Sequence, residues 1–326
     1  LERYDPDGLE LDWQREALCF APGGEYQGIE VLNSFMRAVS EKLRAAARRR
    51  GRDLQLCVRV PADPQDALEM GFDVTQWARE GLVQAVVPTP RWRTCDTDMP
   101  IGLWKRLLAG TGVLLAPGIE ILIQPGQNAR FFTSAEHVAA LAAQHFALGG
   151  DRTYLYNYFD DPIPEDTYWN GNVTHPDMAV RADHQRMLLE NIGDPQKAAQ
   201  LERRHVVTER DLRPIWRKTE HPLPFDCEER GHFHILRVCA GPIPVGAAVE
   251  VTLGLSEGRA EDVRLYVQHK PAAWDGQARA LRPEFVKHPV YAFPVEHDGQ
   301  LPPYLVLELA TAGAPFTVDY VDVHIR

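Results

Sequence analysis

Short apolar runs at 8–13, 54–60, 82–87, 112–123 and 153–159 are separated by stretches with helical periodicity. The clearest helix is predicted over 28–50, where Ile29, Leu32, Phe35, Met36, Val39 and Leu43 recur at three-to-four spacing and mark one buried face. Further helices are predicted over 65–80, 100–109 and 134–148. Strands alternating with helices predict a parallel sheet.

Loop lengths then separate the architectures. Helix-to-strand links are short (Gly51–Asp53, Gly81, Gly110–Thr111, Gly149–Asp151), with Gly where a left-handed cap is wanted. Strand-to-helix links are long (14–27, 88–99, 124–133, 160–176) and carry Arg91, Trp92, Arg93, Asp96, Asp98, Asn128, Asp160, Asp161, Tyr168 and Trp169. Long polar and aromatic loops on one face are the pattern of a TIM barrel's active-site face. An open doubly wound sheet is the rival, but it usually brings a Gly-rich phosphate turn, and neither GxGxxG nor a Walker pattern occurs. Only five strands fit before residue 160. A closed barrel needs eight, so about three βα units are expected upstream of an abrupt start.

Residues 177–203 read as one or two closing helices broken at Gly193-Asp194-Pro195. Beyond about 220, HFHILRVCA, AAVEVTLGL, DVRLYVQH, HPVYAFPV, PYLVLELA and FTVDYVDVHIR are short strands with near period-2 alternation and Pro and Gly turns, a β-sandwich pattern. The expected fold is α/β, a partial (β/α)8 barrel over 1–218 followed by an all-β sandwich over 219–326.

Composition changes this picture little. In 326 residues, 44% are hydrophobic and 25% charged, as in ordinary globular chains. The net charge of −11 argues against a nucleic-acid partner, since the one dense basic run, Arg44–Arg52, ends a helix and complements its dipole. No apolar run is long enough to span a membrane. Five cysteines without a CxxC pair fit neither a disulfide scaffold nor a thiolate zinc site, and Cys57 in LQLCVRV reads as core packing. There is no signal peptide, and extracellular, periplasmic and cytoplasmic addresses stay open.

Candidate chemistry centres on DGLELDW. On a strand, Gly8, Glu10 and Asp12 share one face, with Leu9 and Leu11 on the other. In a barrel the leucines face the helices and the carboxylates point inward, with Asp12 at the C-terminal tip where catalytic residues belong. Two inward carboxylates call for a cation, which Arg15 or Arg59 could supply. The plainer role for Asp12 is a local cap or a structural ion pair, and Arg59 suits either a polar substrate group or a pair with Glu10 or Asp12. Glu120, in APGIEIL, is the second candidate carboxylate for glycosidic cleavage, which needs two such groups flanking the bond. YLYNYFDD sets Tyr156, Asn157, Tyr158 and Asp160 at a strand end, and Trp13, Trp92 and Trp169 lie in the same loop set. Aromatic faces with amide and carboxylate groups suit sugars, although tyrosines also fill barrel walls.

Other motifs lead nowhere. Asp5-Pro6-Asp7-Gly8 is not an EF-hand, because its first and twelfth positions would be Arg3 and Gln14. His232 and His234 share a strand face without a third ligand in view, and His137 and His145 are eight apart on one helix. No GxSxG occurs. No cofactor is called for.

DGLELDW, a long loop and then LCVRVPADPQDALEMGFDVTQWAREGLV resembles bacterial glycoside-hydrolase-like TIM-barrel proteins, the family-10-like glycosyl hydrolases, over roughly residues 4–210. The resemblance implies a carbohydrate substrate and maps a functional Asp onto Asp12. It departs at the Asn-Glu pair that many glycosidase barrels keep, where this chain has Leu11-Asp12. The readings carried forward are a glycoside hydrolase, with Asp12 as nucleophile or base, Glu120 as acid, and Glu10, Arg15, Arg59, Trp92, Tyr156, Asn157 and Asp160 around the sugar; a carbohydrate-binding protein without turnover; and a barrel lyase or isomerase with a divalent metal on Glu10 and Asp12.

Overall fold

The computed structural model describes residues 3–91, 97–125, 131–158, 181–208, 221–280, 286 and 288–326. It is a mixed α/β structure with several sheets. The first half runs β1 (Gly8–Asp12), α1 (Glu25–Arg50), β2 (Gln55–Pro61), α2 (Pro64–Glu69), α3 (Val74–Arg79), β3 (Ala85–Thr89), α4 (Ile101–Leu107), β4 (Leu114–Leu115), β5 (Gly118–Glu120), β6 (Leu122–Ile123), β7 (Phe131–Phe132), α5 (Ala135–Ala147) and β8 (Tyr154–Tyr156). Strands β1, β2, β3 and β4 form a parallel sheet in chain order, and β5 pairs with β8, also in parallel. The amide of Ala116 donates to Val86, and those of Asp151 and Tyr154 donate to Leu115 and Pro117, so the ladder carries on past β4 toward β8.

Helix α1 forms because Leu32, Met36, Leu43 and Ala46 fall on one face and bury against the sheet. It ends at Gly51, whose φ of 66° is a left-handed cap that a side chain would oppose. Phe35 departs from the predicted face. It is 44% exposed and covers the edge of Trp13 instead. The single helix expected over 65–80 is two. Gly71 interrupts it at φ 99°, and Asp63 and Asp73 cap the two pieces by accepting from backbone amides. The run 112–123 is likewise three short strands broken around Pro117, and β6 turns back on β7 as an antiparallel pair that alternation alone did not reveal. Leu9, expected against the helices, is 39% exposed, because β1 is the sheet's edge strand and only part of that face is covered.

The part of this half up to β4 is filled by an apolar cluster containing Val58, Val60, Phe72, Trp77, Val86, Trp104 and Leu115. Both indoles satisfy their N–H groups on burial. Trp77 donates to Asn33 and Trp104 to the Ala62 carbonyl, each at 2.7 Å. The end of the basic run pins the N-terminal segment: Arg52 pairs with Asp5 and Asp7, the two carboxylates of the rejected calcium motif.

Helices α6 (Arg181–Asn191) and α7 (Pro195–Gln200) follow, with Asp194 capping the second at the predicted break. Then come β9 (Arg203–Val206), β10 (Phe225–Cys227), β11 (His234–Cys239), β12 (Val249–Glu257), β13 (Val263–Val267), β14 (Lys270–Ala272), β15 (Ala278–Arg279), β16 (Val290–Pro294), β17 (Tyr304–Thr311) and β18 (Phe316–Ile325). They build two antiparallel sheets, β10-β18-β12-β16-β15 with β9 on β18, and β11-β17-β13-β14. Alternate residues of both sheets, among them Val251, Leu253, Val321 and Val323 from one and Leu265, Leu305 and Leu307 from the other, share a second apolar cluster. A third cluster joins Ile119 and Ile123 to Val138 and Leu141 of α5, Val206 of β9 and Tyr320 of β18. The antiparallel part therefore packs on the end of the parallel part that carries Glu120.

Candidate functional site

Parallel pairing of β1 with β2 sets Asp12 opposite Arg59, and pairing of β5 with β8 sets Glu120 opposite Tyr156. Residues opposite one another share a sheet face. Side chains from these two pairs meet. Arg59 donates from Nε and Nη2 to the two carboxylate oxygens of Asp12, both at 2.9 Å, in a two-pronged pair. Its guanidinium carbon lies 3.6 Å from the centre of the Tyr156 ring, close enough for a cation–π contact. Arg15 donates to the Tyr156 hydroxyl at 3.3 Å. Two residues before Tyr156 on the same strand face, Tyr154 donates from its hydroxyl to Glu10 at 2.9 Å.

Asp12 is both a local cap and one half of an ion pair: its Oδ1 accepts from the amides of Gln14 and Arg15, and Arg59 holds both oxygens. Its side chain is 35% exposed, whereas that of Arg59 is 1% exposed. Glu10 is engaged by Tyr154 and lies beside Cys57, whose thiol is pushed up to about 12, mainly by burial and then by the Glu10 charge. Cys57 is thus half-buried at the site's margin rather than a core residue. Asn157 sits at the end of β8 with φ 53°, a conformation that costs a non-glycine residue energy and concentrates at functional sites. Trp13 is half-buried. It packs against Phe35 and Phe72, with centroids 5.7 and 5.9 Å away. Trp92 and Asp160, with Arg93, Asp96, Asn128, Asp161, Tyr168 and Trp169, lie outside the described residues.

Glu120 is the most perturbed carboxyl of this group. It is 1% exposed, and burial pushes its pKa up to about 7. Opposing this, the amides of Ile121 and Leu122 and the charges of Arg59 and Arg15 favour the ionised form. Burial prevails because the desolvation cost exceeds what two amides and two offset cations return. A carboxyl poised near neutrality can give or take a proton at physiological pH.

Two participants escaped the sequence reading. Tyr154 shares the parity of Tyr156 and Tyr158, so period 2 could have identified it. Gln14 is fully buried behind the site and donates to the Thr89 carbonyl at 2.8 Å, a contact between segments that nothing local signals. Thr89 in turn lies against Gly118, where any Cβ would collide with its side chain, so β5 can approach β3 only with glycine there. The imidazole of His234 stacks on Phe225 at 4.6 Å, and its centroid is 6.3 Å from that of His232. Among the described residues no group of three or more His, Cys, Asp or Glu could hold a metal ion, and no helix is long and apolar enough to cross a membrane.

No family model and no curated protein matches the chain. Among solved structures, BuGH86 in complex with neoagarooctaose, in a substituted and a wild-type form, aligns with 31% of this chain at 16% and 15% identity, with TM-scores of 0.26 and 0.25. The alignments cover only 17% and 18% of those chains. Chitinase ChiA74 from Bacillus thuringiensis aligns with 95% of this chain and 72% of its own, at 11% identity and a TM-score of 0.34. These are weak similarities to glycoside hydrolases, and at such scores they carry no argument about fold or function.

Proposed function

We propose that this chain is a glycoside-hydrolase-like protein acting on a poly- or oligosaccharide, with Glu120 as the proton donor and Asp12 as nucleophile or base. The observation that carries this reading is the contrast between the two carboxyls. Burial holds Glu120 near pH 7, while Arg59 grips both oxygens of Asp12. Two carboxyls with opposed environments are how acid and base roles are divided in such sites. Glu10, Arg15, Arg59, Tyr156 and Asn157 would orient the sugar, with Trp92 and Asp160 from the adjoining loops. The parallel sheet β1-β2-β3-β4, the parallel pair β5-β8, the helices between these strands and the candidate residues near strand ends support the partial (β/α)8 barrel, with the antiparallel sheets, which also take in β9 before residue 219, as an accessory sandwich.

The test is release of reducing ends from a glycan panel by wild type, Asp12→Asn and Glu120→Gln. Loss of general acid catalysis is expected to cost about 10²–10⁴-fold in Glu120→Gln. Wild-type turnover in both variants would overturn the assignment.

One observation favours a second reading, carbohydrate binding without turnover. Arg59 and two backbone amides already occupy Asp12. Retention of a glycan by the wild type with no product release would establish it. The metal-dependent reading is weakened by the same geometry, since Glu10 and Asp12 each hold a protein partner.

A further inference from the structure

Strand β9 carries two adjacent arginines with opposite circumstances. Arg204 donates from Nη1 to both carboxylate oxygens of Asp322 at 2.8 Å and lies 3.0 Å from the His324 ring. Arg203, on the other face of the strand, is fully buried and has no ion pair among the described residues. Its Nη2 donates to the Pro242 carbonyl at 2.6 Å, while Nε and Nη1 are buried and have no hydrogen-bond acceptor among the described residues. Two residues on, His205 is 1% exposed and neither ring nitrogen has a hydrogen-bond partner among the described residues.

The surroundings make this costly. Antiparallel register sets Arg203 opposite Ile325 and His205 opposite Val323, both in the apolar cluster shared by the two sheets. A guanidinium laid on an apolar face without a counter-charge loses its hydration and gets little back. Burial alone accounts for the drop of Arg203 to about 10, with no carboxylate opposing it. Burial, then the Arg203 charge, holds His205 in its neutral form, so the ring offers one N–H. Nε–H and Nη1–H of Arg203 and one N–H of His205 are thus unsatisfied donors on one strand face.

We propose that Arg203 and His205 form a buried binding site for a small monovalent inorganic anion of halide size. An acceptor-only ion supplies both the missing counter-charge and the missing acceptors, whereas a water molecule supplies only acceptors. Arg203 and His205 are both buried, which favours an ion small enough to be enclosed over a carboxylate- or phosphate-bearing metabolite. Entry requires local opening near the strand edge. The ion would stabilise the folded chain by mass action and is independent of the carbohydrate reading.

The test uses the full chain. Crystals grown in sodium bromide are expected to show an anomalous peak in contact with Arg203 Nε or Nη1. In solution the midpoint of thermal unfolding is expected to rise with the logarithm of chloride concentration, with isethionate holding ionic strength constant. Arg203→Met is expected to lose that dependence. Ordered water in place of bromide, equal midpoints in chloride and isethionate, or an unchanged halide dependence in Arg203→Met would each overturn the proposal. Should the variant not fold, the bromide map and the wild-type series decide alone.

Discussion

The hydroxyl of Tyr154 donates to Glu10 at 2.9 Å, and so joins the last parallel strand of the first half to the first. β1 is an end strand of the four-stranded parallel sheet, and β8, in the separate β5-β8 pair, is linked to the sheet's other end through backbone bonds at residues 115–117. Their side chains can meet only if this run of strands curves, with Glu10, Asp12, Arg59, Glu120 and Tyr156 on the concave side. Tyr154→Phe removes this one bond and keeps the ring. A loss of about 0.5–1.5 kcal/mol in urea unfolding is expected. An unchanged midpoint would show that the contact does not hold the two strands together.

Stability should depend on pH through Glu120. Its folded pKa of about 7 lies above the usual glutamate value of 4.5. The folded state therefore binds the proton more tightly than the unfolded chain. The corresponding stability is fully present below about pH 4.5 and is lost as pH rises to about 7, by roughly 3 kcal/mol at 1.36 kcal/mol per unit. Glu120→Gln should flatten this slope between pH 4.5 and 8, as read by denaturant unfolding at several pH values.

Arg59 should be the residue least tolerant of change in the site. Arg59→Met leaves the Asp12 carboxylate without its two-pronged partner and removes the cation above Tyr156. Breaking a fully buried pair costs about 3–5 kcal/mol, and the partial exposure of Asp12 places the expected loss below that range. The Glu120 pKa should also rise, because the Arg59 charge now lowers it. Carboxyl carbon NMR titration of the variant would check the direction.

Gly118→Ala tests the approach of β5 to β3. The new methyl would overlap the Thr89 side chain, and a loss of about 1–3 kcal/mol is expected. Adding Thr89→Ala should restore part of it. Equal stability of the single variant and wild type in thermal unfolding would show that the strands can separate at no cost.

Much of the parallel half was readable because its signals are local. The face of α1, the alternation of strands and helices, and the parity of Glu10 and Asp12 all follow from side-chain period within one segment. So did the break at Asp194-Pro195, a cap followed by a residue suited to the first helical turn. Errors arose where a local signal had two uses. Phe35 kept helical spacing but covers Trp13 at the surface, and Gly71 split a stretch whose periodicity ran through it. Short strands such as β7, β9, β14 and β15 were missed because two to four residues show no period.

What the sequence by itself determined is the inventory: which residues are apolar in phase, where helices stop, and that Glu10, Asp12, Arg59 and Glu120 stand at or near strand ends. Only the tertiary structure decided which of these touch. Arg59 could have met a ligand, Glu10 or Asp12. Parallel register placed it opposite Asp12, and the curvature of the strand run brought Tyr156 over it. The raised pKa of Glu120 has the same origin, for desolvation is set by atoms distant in sequence and no spacing along the chain encodes it.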